Sequence, residues 1–189
     1  MATSPWRTLR GLVPGLGETA VYDFLNMQVS IPVHGMGITG SPTPAFTRNS
    51  ANNFSLVSTG AGTTTSYFSA TVPVPNFRSI SRGAMLNSVT IHYKVATADC
   101  ADLQVGLATQ VFGASANTAT AITFTYDTSN DTTAERKAQG NHTMVCTVTS
   151  PAVISTDKQF FVFEIQLDTL NTSVVTINGI TADVSILLP

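Results

Sequence analysis

The chain is 189 residues long, enough for one domain with some length left over, and 43% of it is hydrophobic, which argues against disorder. Only 11% is charged, against about a quarter in an average soluble protein. The formal net charge is -2, and the nine Lys and Arg are scattered with only Arg136 and Lys137 adjacent, so no cationic cluster is present for direct binding of a nucleic-acid backbone.

Residues 1–50 carry most of the isolated turn formers: Pro5, Gly11, Pro14, Gly15, Gly17, Pro32, Gly35, Gly37, Gly40, Pro42 and Pro44. The apolar pieces between them are too short for a stable helix. They are also too apolar for a solvated tail. The segment is therefore expected to be an extended N-terminal arm that buries its side chains against the main domain or a neighbouring subunit. Trp6, Leu9, Leu12, Tyr22, Phe24 and Leu25 are its candidate partner-binding anchors. Glycine and proline also interrupt any secretory h-region here, so no signal peptide is expected. No apolar run in the chain reaches the ~18 residues of a membrane-spanning helix, and no membrane partner is expected.

From residue 51 the hydrophobic period becomes two, as in half-buried strands. Phe54–Ser58 is a short candidate. Tyr67–Val72 follows and runs into Pro73 and Pro75, which cannot donate to a ladder. Val89, Ile91, Tyr93 and Val95 share one strand face, and Ser88, Thr90, His92 and Lys94 share the other. The pattern resumes at Leu103, Val105 and Leu107, and again at Ile122, Phe124 and Tyr126. The polar run Asp127–Thr133 predicts a loop, with at most one helical turn over Ala134–Ala138. Met144, Cys146 and Val148 predict a further strand. Phe161, Phe163, Ile165 and Leu167 predict a strong one. Two last strands, Val174–Ile177 and Ile180–Leu188, flank Asn178-Gly179, a hairpin signal. The expected fold is all-β: an antiparallel β-sandwich or jelly-roll-like domain over 51–189.

The search for chemistry yields expectations of absence. His34, His92 and His142 have no second ligand at metal spacing. Asp127, Ser129 and Asp131 alternate, but Thr132 stands where a calcium loop requires glycine. Asp99 and Asp102 are expected to cap a turn. Glu164 has no visible acid–base partner. No nucleophile elbow appears, and Gly35–Gly40 lacks the strand, helix and lysine of a phosphate loop. Catalytic residues, metal and cofactors are therefore expected to be none, and the chain is not expected to be an enzyme. Cys100 lies in a polar turn and Cys146 on an inward strand face. Both are expected to be free thiols, as in a reducing cytoplasm.

Several segments resemble a β-sandwich module of bacteriophage virion proteins. Tyr67–Pro75 resembles its opening strand and Gly83–Lys94 its second element. Asp102–Leu107 resembles the strand that follows, and Thr156–Leu167 with the closing strand resembles its end. The likeness covers about two thirds of the chain and is one of head decoration (cement) and fibre proteins. It implies a structural protein on the capsid surface, assembled in the host cytoplasm. It also implies a homo-oligomer, with a trimer favoured, whose partner is the major capsid protein or another virion protein. The expected role is capsid decoration through the arm. The alternative is a receptor-binding module of a tail or head fibre, directed at carbohydrate or a cell surface.

Overall fold

The computed structural model describes residues 8–10, 21–33, 36–41, 46–48, 56–59, 64–74, 83–113, 118–155, 159–170 and 172–187. In chain order the elements are β1 (Thr8–Arg10), β2 (Val21–Ile31), β3 (Gly37–Ser41), β4 (Phe46–Arg48), β5 (Leu56–Thr59), β6 (Thr64–Thr71) and β7 (Gly83–Ala96). They continue with β8 (Asp102–Val111), β9 (Thr118–Ala121), β10 (Phe124–Tyr126), α1 (Thr133–Lys137), β11 (Gly140–Ile154), β12 (Gln159–Thr169) and β13 (Val174–Leu187). The alternation of the sequence becomes the alternation of burial. Along β12, Phe161, Phe163, Ile165 and Leu167 are buried, while Val162 and Gln166 are half-buried and Glu164 is exposed between them.

Two antiparallel sheets result. One runs β1-β2-β13-β7-β11-β10, with β5 also on β13 and β4 on β5; the other runs β3-β6-β12-β8-β9. Their facing sides form one core. Phe68, Leu103, Phe161, Phe163 and Ile165 come from the five-stranded sheet; Val89, Ile91, Met144, Ala182 and Val184 come from the eight-stranded sheet. Burial of such side chains stabilises by about 1.5–3 kcal/mol each. This is the β-sandwich expected from the periodicity.

Three local outcomes differ from or sharpen the sequence reading. Asn178-Gly179 is no hairpin: β13 continues through it, with a register shift between Ile177 and Gly179 against β7. Val175 and Ile177 are buried before the shift, and Ile180, Ala182 and Val184 after it. The inward parity changes from odd to even, and one extra residue in a bulge makes that change without reversing the chain. β7 shows the same device: Leu86 pairs Val184 and Ser88 pairs Asp183, leaving Asn87 over as inward parity passes from Leu86 to Val89. Second, strands from residues 1–50 enter the sandwich. β2 pairs with β13 from Phe24↔Leu187 to Ile31↔Ile180, β3 pairs with β6, and Ile31, Val33 and Met36 lie in the core. Third, β9 and β10 are one run of chain that changes sheets. The Ile122 N–H donates to the Leu107 carbonyl at 2.8 Å, and the Thr149 N–H donates to the Thr123 carbonyl at 3.0 Å.

Glycine is required at Gly83, where φ is +142° and an added Cβ would stand 2.3 Å from the Ile154 carbonyl oxygen. No larger residue fits that approach of β7 to β11.

Candidate functional site

The polar loop between β10 and β11 is where the sequence placed its best cation candidate. Asp127 spends its carboxylate on the protein instead. It accepts from the N–H of Ser129 at 3.0 Å, from Asn130 Nδ2 at 2.9 Å and from the N–H of Val145 at 2.7 Å. Burial pushes its pKa up, but the hydrogen bonds from Val145, Asn130 and Ser129 outweigh this and hold the carboxyl below its ordinary value. Asp131 turns the other way, to Glu135, whose hydrogen bond holds Asp131 above its ordinary value. Thr132 and Glu135 form a reciprocal capping box at the start of α1. Among the described residues, no group of three or more His, Cys, Asp or Glu is placed to hold a metal ion.

Arg136 locks this loop. It is 6% exposed, and its guanidinium donates to the carbonyls of Leu103 at 2.8 Å, Asn130 at 3.1 Å and Asp131 at 3.0 Å, and to Thr133 Oγ1 at 3.1 Å. Its Cζ lies 4.4 Å from the centre of the Tyr126 ring. Tyr93 donates its hydroxyl to the Arg136 carbonyl at 2.8 Å, and burial pushes that hydroxyl well above its ordinary pKa. His142 stacks on Tyr93 at 4.7 Å, and its Nε2 is 2.9 Å from the Ala138 carbonyl. His142, which the sequence shows only to lack a second ligand at metal spacing, is thus half-buried and structural. His92 is exposed, with Nδ1 3.1 Å from Thr143 Oγ1; His34 lies outside the described residues.

Both cysteines are free thiols and both are buried, Cys100 even though its sequence neighbours are those of a polar turn. Burial pushes the Cys100 thiol up to about 11 and the Cys146 thiol up to about 12. Neither has the lowered pKa of a nucleophile. Asp99 accepts from the Gln139 N–H and Asp102 from the Leu103 N–H, at 3.0 and 2.8 Å; Asp102 thus holds a backbone N–H beside its turn, whereas Asp99, expected to cap the same turn, ties it to the chain after α1.

Of the arm anchors, Trp6 and Leu12 lie outside the described residues. Leu9 and Tyr22 are opposite each other in the β1–β2 pair, and Phe24 is opposite Leu187. Leu25 pairs with Ile186 and is 36% exposed. The backbone of β2 is therefore committed to the sandwich.

The feature that sequence reasoning missed is the outer face of the five-stranded sheet. Its register sets side chains in rows across the strands. One row is Gln104 (β8), Gln166 (β12) and Tyr67 (β6); the next is Gly106, Glu164, Ser69 and, on β3, Gly37. Asp102, Asp168 and Thr65 form the row on the other side of Tyr67. Tyr67 is 36% exposed, and Gln104, Glu164 and Gly106 are exposed with it. Gln104 donates to Asp102, and Gln166 donates to Asp168 at 3.4 Å, which orients both planar amides. The strands of this sheet contain no Lys or Arg, and their acidic residues are Asp102, Glu164 and Asp168. The three rows around Tyr67 hold one aromatic ring, two amides and three carboxylates, which offer stacking and hydrogen-bond acceptors and no cation to attract an anion. Tyr67 was read as part of an opening strand. Its neighbour Phe68 supplied the alternative inward residue, and only the β6–β12 register assigns each to its side.

No protein-family model and no curated protein matches the chain. Among solved structures it is similar to the carbohydrate-binding module TmCBM61, solved with beta-1,4-galactotriose, at 6% identity and TM-score 0.41, over 78% of this chain and 87% of that one. It is also similar to a mutant of the carbohydrate-binding module CBM29-2, solved with cellulohexaose, at 9% identity and TM-score 0.37, over 84% and 91%. The third is the enzymatically active domain of bacteriophage CBA120 tailspike protein 4, at 9% identity and TM-score 0.28; the match spans 85% of this chain but 19% of that one.

Proposed function

We propose that this chain is a non-catalytic binding module of a virus particle, of the fibre or receptor-binding kind, whose outer five-stranded face takes an uncharged saccharide chain. The observation that carries this is the Tyr67 row. A sugar ring presents C–H groups on its face and hydroxyls at its edge. The Tyr67 ring supplies an apolar surface for the first; Gln104 and Gln166, held by Asp102 and Asp168, and the exposed Glu164 supply acceptors for the second. The absence of Lys and Arg from these strands and the three carboxylates disfavour phosphate, sulfate and sialic acid. The virion setting comes from the resemblance of the strand pattern alone.

The test is a binding screen of the folded chain against uncharged hexose oligosaccharides, with sulfated and sialylated chains as controls. At least one uncharged chain should bind, the anionic ones should not, and Tyr67→Ala should weaken binding about tenfold or more, as expected for an aromatic anchor. Binding unaffected by Tyr67→Ala, or confined to anionic chains, refutes the reading.

The second reading is capsid decoration, favoured by the low charge of the chain and by Phe112, which is 56% exposed. It requires purified shells that lack the protein to bind it when it is added. The arm has less to offer this role than its sequence suggested, because Val21–Ile31 and Gly37–Ser41 are strands of the sandwich.

A further inference from the structure

The five-stranded sheet ends at β9, a strand of four residues, Thr118–Ala121, all exposed. Its only strand partner among the described residues is β8. Because the Ile122 N–H donates to Leu107, the alternation of an antiparallel ladder turns Thr118 and Thr120 toward β8 as well. It leaves the N–H and C=O of Ala119 and Ala121 pointing away from the sheet. Exposed edges of this kind are normally blunted by charge, proline or a bulge. None is present in Thr118–Ala121, and from Leu103 to Tyr126 the sequence holds no Asp, Glu, Lys, Arg or His.

A second observation lies beside the edge. On the outer face, Ala121 shares a row with Ala108 and Val162, and Ala119 with Gln110 and Phe160. Phe112 packs on Phe160 with ring centres 4.5 Å apart and is the most exposed large apolar side chain described. The edge is thus flanked by an uncovered apolar patch, at the end of the sheet away from Tyr67.

We infer that β9 pairs antiparallel with β9 of a second copy, making a two-fold dimer with one continuous ten-stranded sheet. The chemistry favours a copy over a foreign strand. A two-fold interface sets each residue against the same surface of its mate, so any charge there meets its own kind; a segment without charge meets no repulsion. A foreign partner would find no charged group by which to be selected. In-sheet antiparallel pairing keeps both outer faces on one side. The two Tyr67 rows would then face the same way, a consequence that rests on the proposed function and gains from avidity.

Sedimentation of the full chain over a dilution series, without sugar, tests this. The expected result is a monomer–dimer equilibrium. The double variant Ala119→Lys/Ala121→Lys should shift it to monomer, because its side chains charge both sides of the shared edge. Ala121→Pro should do the same by removing one outward N–H that β8 does not use, and Phe112→Ala should weaken the dimer about tenfold. Circular dichroism and melting should show each variant folded. A wild-type monomer at the highest concentration, a trimer, or a dimer that survives both the lysines and the proline overturns the inference. Failure of saccharide binding would leave these outcomes unchanged, so the two proposals fail separately.

Discussion

Truncating Arg136 to alanine removes the one buried cation described and exposes how the β10–β11 loop is held. Two of its hydrogen bonds, to the carbonyls of Leu103 and Asn130, are buried; those to Asp131 and Thr133 are partly so. A hydrogen bond to a charged donor contributes about 1.5–3 kcal/mol, and a buried carbonyl left unpaired costs about 1–3 kcal/mol. The stack on Tyr126 adds about 1 kcal/mol. Against this stands the several kcal/mol that burial of an ion costs. The two buried bonds and the stack leave a net loss of about 4 kcal/mol for Arg136→Ala, since terms that share one side chain do not add fully. For a domain of this length that lowers Tm by roughly 10 °C. Arg136→Lys, which keeps the charge but loses the planar fork, should fall between. Urea unfolding followed by circular dichroism and by the near-ultraviolet signal of the aromatic residues measures both. An Arg136→Ala protein within about 1 kcal/mol of the wild type would refute the lock.

Asp127 makes a pH-dependent contribution of known sign. Its carboxyl is held below its ordinary value in the fold, so the folded state favours the ionised form. That contribution is present above the ordinary carboxylate pKa and is lost as pH falls through the lowered one. Asp127→Ala should therefore destabilise by about 2 kcal/mol at neutral pH, and the difference from wild type should shrink in acid; a difference independent of pH between 2 and 7 contradicts this. The thiols of Cys100 and Cys146 are pushed up to about 11 and about 12. Neither should react with iodoacetamide at pH 8 in the folded protein, and both should react in urea. Mass spectrometry reads the result, and fast labelling without denaturant would count against their burial.

Much of the fold was legible because burial follows a local period. β7, β11, β12 and the buried half of β8 announce themselves through alternation at Val89–Val95, Met144–Val148, Phe161–Leu167 and Leu103–Leu107. The parity change at Ile177–Ile180 was visible too, but a bulge and a turn leave the same mark, and Asn-Gly favoured the turn. β2 was hidden by the turn formers on either side of it. Its partner, β13, lies at the far end of the chain, and no local pattern reports a contact between the two. Arg136 reads as one charge in a short helical turn; the carbonyls that bury it come from Leu103, Asn130 and Asp131. The candidate site was the least legible part, since Tyr67, Gln104 and Gln166 are neighbours only through the β6–β12–β8 register.

The most direct measurement is an amide NMR titration of the labelled chain with the uncharged oligosaccharide that binds best in the screen. Shifts should concentrate at Tyr67, Gln104, Glu164, Gln166 and their strand neighbours, saturate together, and disappear in Tyr67→Ala. Shifts that cluster instead on the outer side of the eight-stranded sheet, around Thr90 and Asp183, or no saturable shifts with any uncharged chain, would contradict the assignment of this face.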